Sequence, residues 1–90
     1  MAKRLTISGR VQGVGYRAAF YDTALSLGLC GWVRNRRDGT VEACVDGEAA
    51  ALETIIAWAK RGPPATQVAH VSIEDVAEMT AGTLNILPTQ

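Results

Sequence analysis

The Asp38-Gly39 pair, near the centre of the chain, lies between two β-prone runs at residues 30–35 and 40–45. An Asp-Gly sequence suits a tight turn, because glycine tolerates positive φ and the aspartate side chain can bond nearby backbone. The middle of the chain is therefore predicted to be a β-hairpin, and every other element has to be arranged around it.

A helical pattern lies on each side of this hairpin. Phe20, Ala24 and Leu27 recur at the spacing of one helix face, and Gly28 follows where a helix commonly ends. Residues 48–61 form a second helical segment, predicted to have an acidic residue in its first turn and basic residues in its last turn, as the helix dipole prefers. The apolar stripe of this segment consists of Ala49, Leu52, Ile55, Ile56 and Ala59.

Three further strands complete the pattern. Residues 4–8 alternate, residues 68–76 alternate, and residues 83–87 form a short final β-prone run. The resulting order, β-α-β-β-α-β plus a short C-terminal strand, predicts an α+β protein with a ferredoxin-like α/β sandwich. In that fold two helices pack on one face of an antiparallel sheet, and because the fold hosts many activities, the site has to decide the function.

Length and charge narrow the class of protein. The chain has 90 residues, which predicts one domain spanning residues 1–90. Its net charge is zero, whereas a general nucleic-acid binder usually carries a basic excess. Neither a signal peptide nor an apolar stretch of membrane-spanning length is found, so the cytoplasm is the expected location and no membrane partner is expected.

The two cysteines, Cys30 and Cys44, form no CxxC pair and no Cys/His cluster with zinc-like spacing. No carboxylate cluster suggests a cation site either. The sequence therefore predicts reduced thiols, no metal and no cofactor. A single disulfide between these two cysteines stays open at this stage.

A glycine-rich segment joins the first strand to the first helix. Gly9, Gly13 and Gly15 allow positive φ and let a ligand approach the backbone, and successive N–H groups in such a turn can bind an anion. Arg17 then stands in the first turn of the helix, at the wrong end of the helix dipole. An anion bound in the loop would give this arginine a partner, since guanidinium matches phosphate geometry.

Two known phosphate loops do not fit this segment. A Walker A loop ends in Gly-Lys-Ser/Thr, but this loop ends in Gly15-Tyr16-Arg17. Residues 13–18 match G-x-G-x-x-A, yet a dinucleotide-binding fold needs a larger, mostly parallel sheet. Both interpretations are rejected.

The combined motifs resemble those of the acylphosphatase family. They are GRVQGVGYR at residues 9–17, GWVRN at residues 31–35 and DGTVE at residues 38–42, with Gly-Pro after the second helix. The resemblance covers almost the whole chain and agrees with the predicted fold. One departure is Tyr16, where the family usually has phenylalanine, and its hydroxyl needs a hydrogen-bond partner if it is buried.

The resemblance implies hydrolysis of acyl phosphates to a carboxylate and inorganic phosphate, with Arg17 and Asn35 as the catalytic residues. No cysteine or serine stands in the loop motif and no carboxylate cluster is present, so direct attack of water without a covalent intermediate or a metal is expected. The substrate is expected to be a small molecule, and the protein is expected to be monomeric and to bind no nucleic acid. The implied phosphate-binding loop consists of Gln12, Gly13, Val14, Gly15, Tyr16 and Arg17.

Alternatives stay open at the level of the sequence. Arg34, Arg36 and Arg37 flank Asn35, and they either attract an anionic substrate or simply form a solvated edge. The same arginines are the feature that would suit an RNA-binding module of this fold, although paired aromatic residues on central strands are lacking. An accessory module that binds anions without turnover is the other alternative.

Overall fold

The computed structural model describes residues 2–77 and 82–90. The elements follow the predicted order, although the first strand extends beyond the predicted residues 4–8 at both ends and the fourth strand starts one residue before the predicted residues 68–76. They are β1 (Ala2–Arg10), α1 (Tyr16–Ser26), β2 (Cys30–Asn35), β3 (Val41–Asp46), α2 (Ala49–Arg61), β4 (Gln67–Val76) and β5 (Leu84–Ile86).

The strands form a five-stranded sheet in the order β4-β1-β3-β2-β5. The pairs β1–β3, β1–β4 and β2–β3 are antiparallel, which confirms the predicted ferredoxin-like arrangement. The short strand β5 pairs with β2 in parallel, with Gly31 opposite Leu84 and Val33 opposite Ile86. The predicted hairpin is present, and residues 36–40 form its turn.

The core lies between the sheet and the two helices. Leu5 and Ile7 of β1 and Val33 of β2 are fully buried, because alternate residues of a strand point to the same face. Phe20 of α1 and Ile55 of α2 fill the space from the helical side, each with no solvent exposure. This arrangement brings the end of β2 to the same cavity as the loop that joins β1 to α1.

The structure refines two details of the second helix. Glu48 is the N-cap residue of α2 and precedes its first turn, and Ala49 is exposed, so it does not belong to the buried stripe. The rest of the predicted stripe faces inward, with Leu52, Ile55 and Ala59 buried. Within the described residues, neither helix has the length and apolar character needed to cross a bilayer.

Candidate active site

A cavity of about 260 Å³ opens where β1 leads into α1, beside the end of β2. It brings Arg17 and Asn35, the two predicted catalytic residues, to the same place from different elements. Gln12 and Val14 of the predicted loop are not among the residues that line it. The lining consists of Val11, Gly13, Gly15, Tyr16, Arg17, Ala18 and Asn35.

The loop that borders this cavity has backbone N–H groups without a backbone acceptor. Gly13 and Gly15 have φ of +75° and +83°, the left-handed region that side chains other than glycine rarely adopt. Ala19 is the first helical residue whose N–H has an acceptor, at 3.0 Å from the carbonyl of Gly15. Among the described residues, no backbone carbonyl accepts a bond from the N–H groups of residues 12–18. Such a run of free donors at a helix start suits an anion.

Arg17 is the second residue of α1, as the sequence predicted, and its side chain is half-buried. The first turn of α1 contains no acidic residue, and no side chain caps it. Within residues 2–77 and 82–90, the Arg17 guanidinium has no hydrogen-bond or ion-pair partner. A positive side chain and the positive end of a helix therefore converge on one cavity, and both favour an anionic ligand.

Asn35 is the last residue of β2 and also lines the cavity. Its side-chain oxygen, Oδ1, is buried and has no donor among the described residues. An unpaired buried oxygen costs about 1–3 kcal/mol, so such a group usually serves a ligand or a water molecule. A water molecule that donates a hydrogen bond to Oδ1 would satisfy it.

Tyr16 ties the start of α1 to the end of α2. Its ring is buried, 5.4 Å from Trp58 between ring centroids, and its hydroxyl donates to the Ala59 carbonyl at 2.8 Å. The expected partner for a buried hydroxyl is therefore present. Burial raises the pKa of Tyr16 far above its ordinary value, so the phenol stays neutral and committed to Ala59.

The side chain of Gln12 has a role that the sequence did not reveal. Its Nε2 donates to the carbonyls of Arg36 and Thr40, at 2.7 and 2.8 Å. Both N–H groups of the carboxamide thus bind the hairpin turn. The backbone N–H is therefore the donor of Gln12 that is left to bind a phosphate in the loop. No local pattern could have shown this contact, because it joins residues far apart in the sequence.

Two of the arginines beside Asn35 are held by one carboxylate. Arg34 and Arg36 both contact Oε1 of Glu42, at 2.9 and 3.0 Å, and Glu42 is only 7% exposed. Burial acts to raise the pKa of Glu42, but the bonds from Arg36 and Arg34 outweigh it and the net pKa is lowered. Neither arginine is a freely solvated edge residue. Arg37, by contrast, is exposed.

The basic residues are distributed unevenly along the molecule. All lysines and arginines except Lys3 and Arg4 lie at or near the end where β1 and β2 stop, α1 starts and α2 finishes. Of the acidic residues that the structure describes, Asp38 and Glu42 share that end. Asp38 is bonded to Thr40, and Glu42 is bonded to the arginines. We call this region the cationic end, and the cavity opens on it.

Fold and cavity together define a ferredoxin-like sandwich whose first helix begins in a donor-rich glycine loop. Comparison with known proteins then places the chain: the family model named Acylphosphatase matches residues 3–83. The chain belongs to the acylphosphatase family and is an enzyme of that class.

Individual relatives agree with this placement. The chain is 51% identical over 88 residues to an acylphosphatase of Azoarcus sp. (strain BH72), covering 98% of this chain and 90% of the relative. The crystal structure of acylphosphatase from Bacillus subtilis matches with a TM-score of 0.90 at 33% identity, over 96% of this chain and 97% of that chain. An acylphosphatase structure from Coxiella burnetii matches with a TM-score of 0.92 at 31% identity, over 96% of this chain and 90% of that chain.

Proposed function

We propose that the protein hydrolyses the carboxyl-phosphate anhydride of acyl phosphates by direct attack of water on phosphorus. Membership of the family supports the reaction class. The observation that carries the mechanism is the meeting of Arg17 and Asn35 at one cavity, which is bordered by a loop whose N–H groups have no backbone acceptor.

The loop and Arg17 bind the phosphoryl group. Backbone N–H groups of residues 12–18 donate to its oxygens, and the guanidinium of Arg17 donates a further pair of bonds. Charge in the transition state spreads over the same oxygens, so these donors stabilise it electrostatically. An acyl phosphate has a good carboxylate leaving group, and positioning and charge stabilisation are therefore the main demands on the site.

Asn35 positions the water. Its buried Oδ1 accepts a hydrogen bond from the water, whose oxygen then attacks phosphorus in line with the scissile P–O bond. The new bond joins the water oxygen to phosphorus, and the carboxylate leaves with the electron pair of the broken P–O bond. A phosphoryl oxygen takes the proton of the water, which yields inorganic phosphate.

The lining of the cavity supports attack by water over a covalent phosphoenzyme. Tyr16 is the only hydroxyl-bearing residue among the described lining residues, and its hydroxyl is bonded to Ala59. No thiol, imidazole or carboxylate is among them. Cys30 and Cys44, which are free thiols, lie on the strand face that points away from the helices.

Hydrolysis of benzoyl phosphate in ¹⁸O-labelled water, with EDTA present, tests which atom of the anhydride is attacked and whether a metal is needed. We expect rapid turnover with the label in phosphate, because water attacks phosphorus. We expect Asn35→Ala to lower kcat by about 10²–10³-fold, by analogy with loss of an oxyanion donor, while the protein stays folded by circular dichroism. Label in benzoate would refute attack at phosphorus, loss of turnover with EDTA would refute the metal-free reaction, and near-normal turnover of Asn35→Ala would refute its role.

A further inference from the structure

The hairpin turn that follows Asn35 is held from two sides by groups outside the hairpin. On one side stands Gln12, whose carboxamide bonds the carbonyls of Arg36 and Thr40. On the other side stands the C-terminal segment that follows β5, residues 87–90. The turn also has a bond of its own, because Arg36 N–H donates to the Thr40 carbonyl at 2.8 Å.

The C-terminal segment extends the parallel pairing of β5 along β2. Leu87 N–H donates to the Val33 carbonyl at 2.9 Å, and Gln90 N–H donates to the Asn35 carbonyl at 3.1 Å. A backbone oxygen of Gln90 in turn accepts a bond from Arg37 N–H at 3.0 Å. The step from Val33 to Asn35 covers two residues of β2, whereas the step from Leu87 to Gln90 covers three residues of the segment. The extra residue forms a local bulge, which accommodates Pro88 because proline has no N–H to donate.

These bonds meet at Asn35, the residue proposed to position the attacking water. The carbonyl of Asn35 is held by Gln90, and the carbonyl of the next residue, Arg36, is held by Gln12. Gln12 belongs to the loop that would bind the phosphoryl group, so its bonds also set the separation between that loop and Asn35. A displacement of about 1 Å in such a geometry can cost about 10²-fold in rate.

We infer that Gln12 and Gln90 are positioning residues that fix Asn35, and through it the attacking water, relative to the phosphoryl group. This inference rests on the proposed function. Gln12 acts through its side chain, and Gln90 acts through its backbone N–H and a backbone oxygen. The side chain of Gln90 contacts Arg34 instead, on the far side of β2 from the cavity.

Three substitutions separate these contributions. Gln90→Pro removes the N–H that donates to Asn35, and Gln90→Ala keeps it while removing the contact with Arg34. Gln12→Met keeps the length of the side chain but removes both donors. We expect Gln90→Pro and Gln12→Met each to lower kcat about tenfold, a fraction of the loss that a full 1 Å displacement produces. We expect Gln90→Ala to stay near wild type.

Two readouts distinguish positioning from a general structural role. The inhibition constant for inorganic phosphate should change less than about twofold, because the N–H groups of the loop and the side chain of Arg17 are still present. In an Asn35→Ala background, Gln90→Pro and Gln12→Met should cause no further loss of kcat, because residues that act as a unit are non-additive.

The inference is overturned if either variant lowers kcat equally in both backgrounds, if phosphate inhibition weakens in proportion to kcat, or if both variants keep wild-type kcat. Failure of the proposed function looks different, since the wild-type protein would then leave acyl phosphates intact. Gln12→Met and Gln90→Pro alter opposite sides of the turn. If one variant does not fold, the other still tests whether contacts to the turn position Asn35.

Discussion

The two helices of this protein begin in opposite ways. Helix α2 starts after Glu48 in an extended conformation and ends with Lys60 and Arg61 in its last turn, so charges at both ends complement the helix dipole. Helix α1 starts after Gly15 in a left-handed conformation, has no acidic residue in its first turn and no basic residue in its last turn, and carries Arg17 as its second residue.

This difference shows where the molecule is arranged for stability and where it is arranged for a ligand. The start of α2 carries an acidic residue, Glu48, which complements the positive end of the helix dipole. The start of α1 leaves free donors and an arginine without a partner among the described residues, an arrangement that costs stability until an anion is bound. Local departures of this kind are expected at functional sites.

Removal of Arg17 should have the largest effect and tests the difference between the two helix starts most directly. We expect Arg17→Ala to lower kcat/KM by about two to four decades, because hydrogen bonds to charged groups contribute about 1.5–3 kcal/mol each. Its free energy of unfolding should not fall, since a positive charge leaves the positive end of a helix. Arg61→Ala is the matched control at the end of α2, with near-normal kcat/KM and about 0.3–1 kcal/mol less stability. Near-normal turnover of Arg17→Ala, or a large loss of kcat/KM in Arg61→Ala, would show that the start of α1 does not differ from the end of α2 in its effect on the substrate.

Giving α1 the acidic start of an ordinary helix should have the next largest effect. Ala18 is exposed in the first turn of α1 and lines the cavity. We expect Ala18→Glu to stabilise the fold by about 0.3–1 kcal/mol. We also expect it to lower kcat/KM about 10²-fold, because a carboxylate there repels the phosphoryl group.

Ala50→Glu supplies the control for that change, since Ala50 is exposed in the first turn of α2. It should give a similar gain in stability with unchanged kcat/KM. Thermal unfolding and initial rates measure both variants. If Ala18→Glu turns over as fast as wild type, the start of α1 does not bind the substrate.

Tyr16→Phe should have the smallest effect on activity and a clear effect on stability. The Ala59 carbonyl lies in the last turn of α2, where its helical partner four residues on would be Pro63, which has no N–H. The Tyr16 hydroxyl satisfies that buried carbonyl. We expect its removal to lower the free energy of unfolding by about 1–3 kcal/mol in urea denaturation, with kcat within about threefold of wild type. An unchanged urea midpoint would show that the start of α1 is not held by the end of α2.

The parts of the fold that depend on local pattern were predictable from the sequence. The turn at Asp38-Gly39, the helix end at Gly28 and the strand–loop–helix unit around Gly13 all lie where the sequence placed them, because each depends on residues adjacent in the chain. Arg17 was singled out by its conflict with the helix dipole. Asn35 was identified by the family motif alone.

What the sequence did not predict depends on contacts across the chain. The parallel pairing of β5 with β2, and the bonds of Gln12 and Gln90 to the hairpin turn, join residues that no periodicity links. The pairing of Arg34 with Glu42 could be inferred only once the register of the hairpin was known, since those two residues are directly opposite each other.

The cationic end also governs how the substrate arrives. A protein of zero net charge exerts little pull at long range, but one with most of its basic residues at the end where the cavity opens behaves as a dipole that turns this end toward an approaching dianion. That pull acts over roughly 10 Å at 0.1 M salt and about 3 Å at 1 M. Diffusional encounter is therefore fastest in dilute salt, while the turnover of substrate already bound does not depend on it.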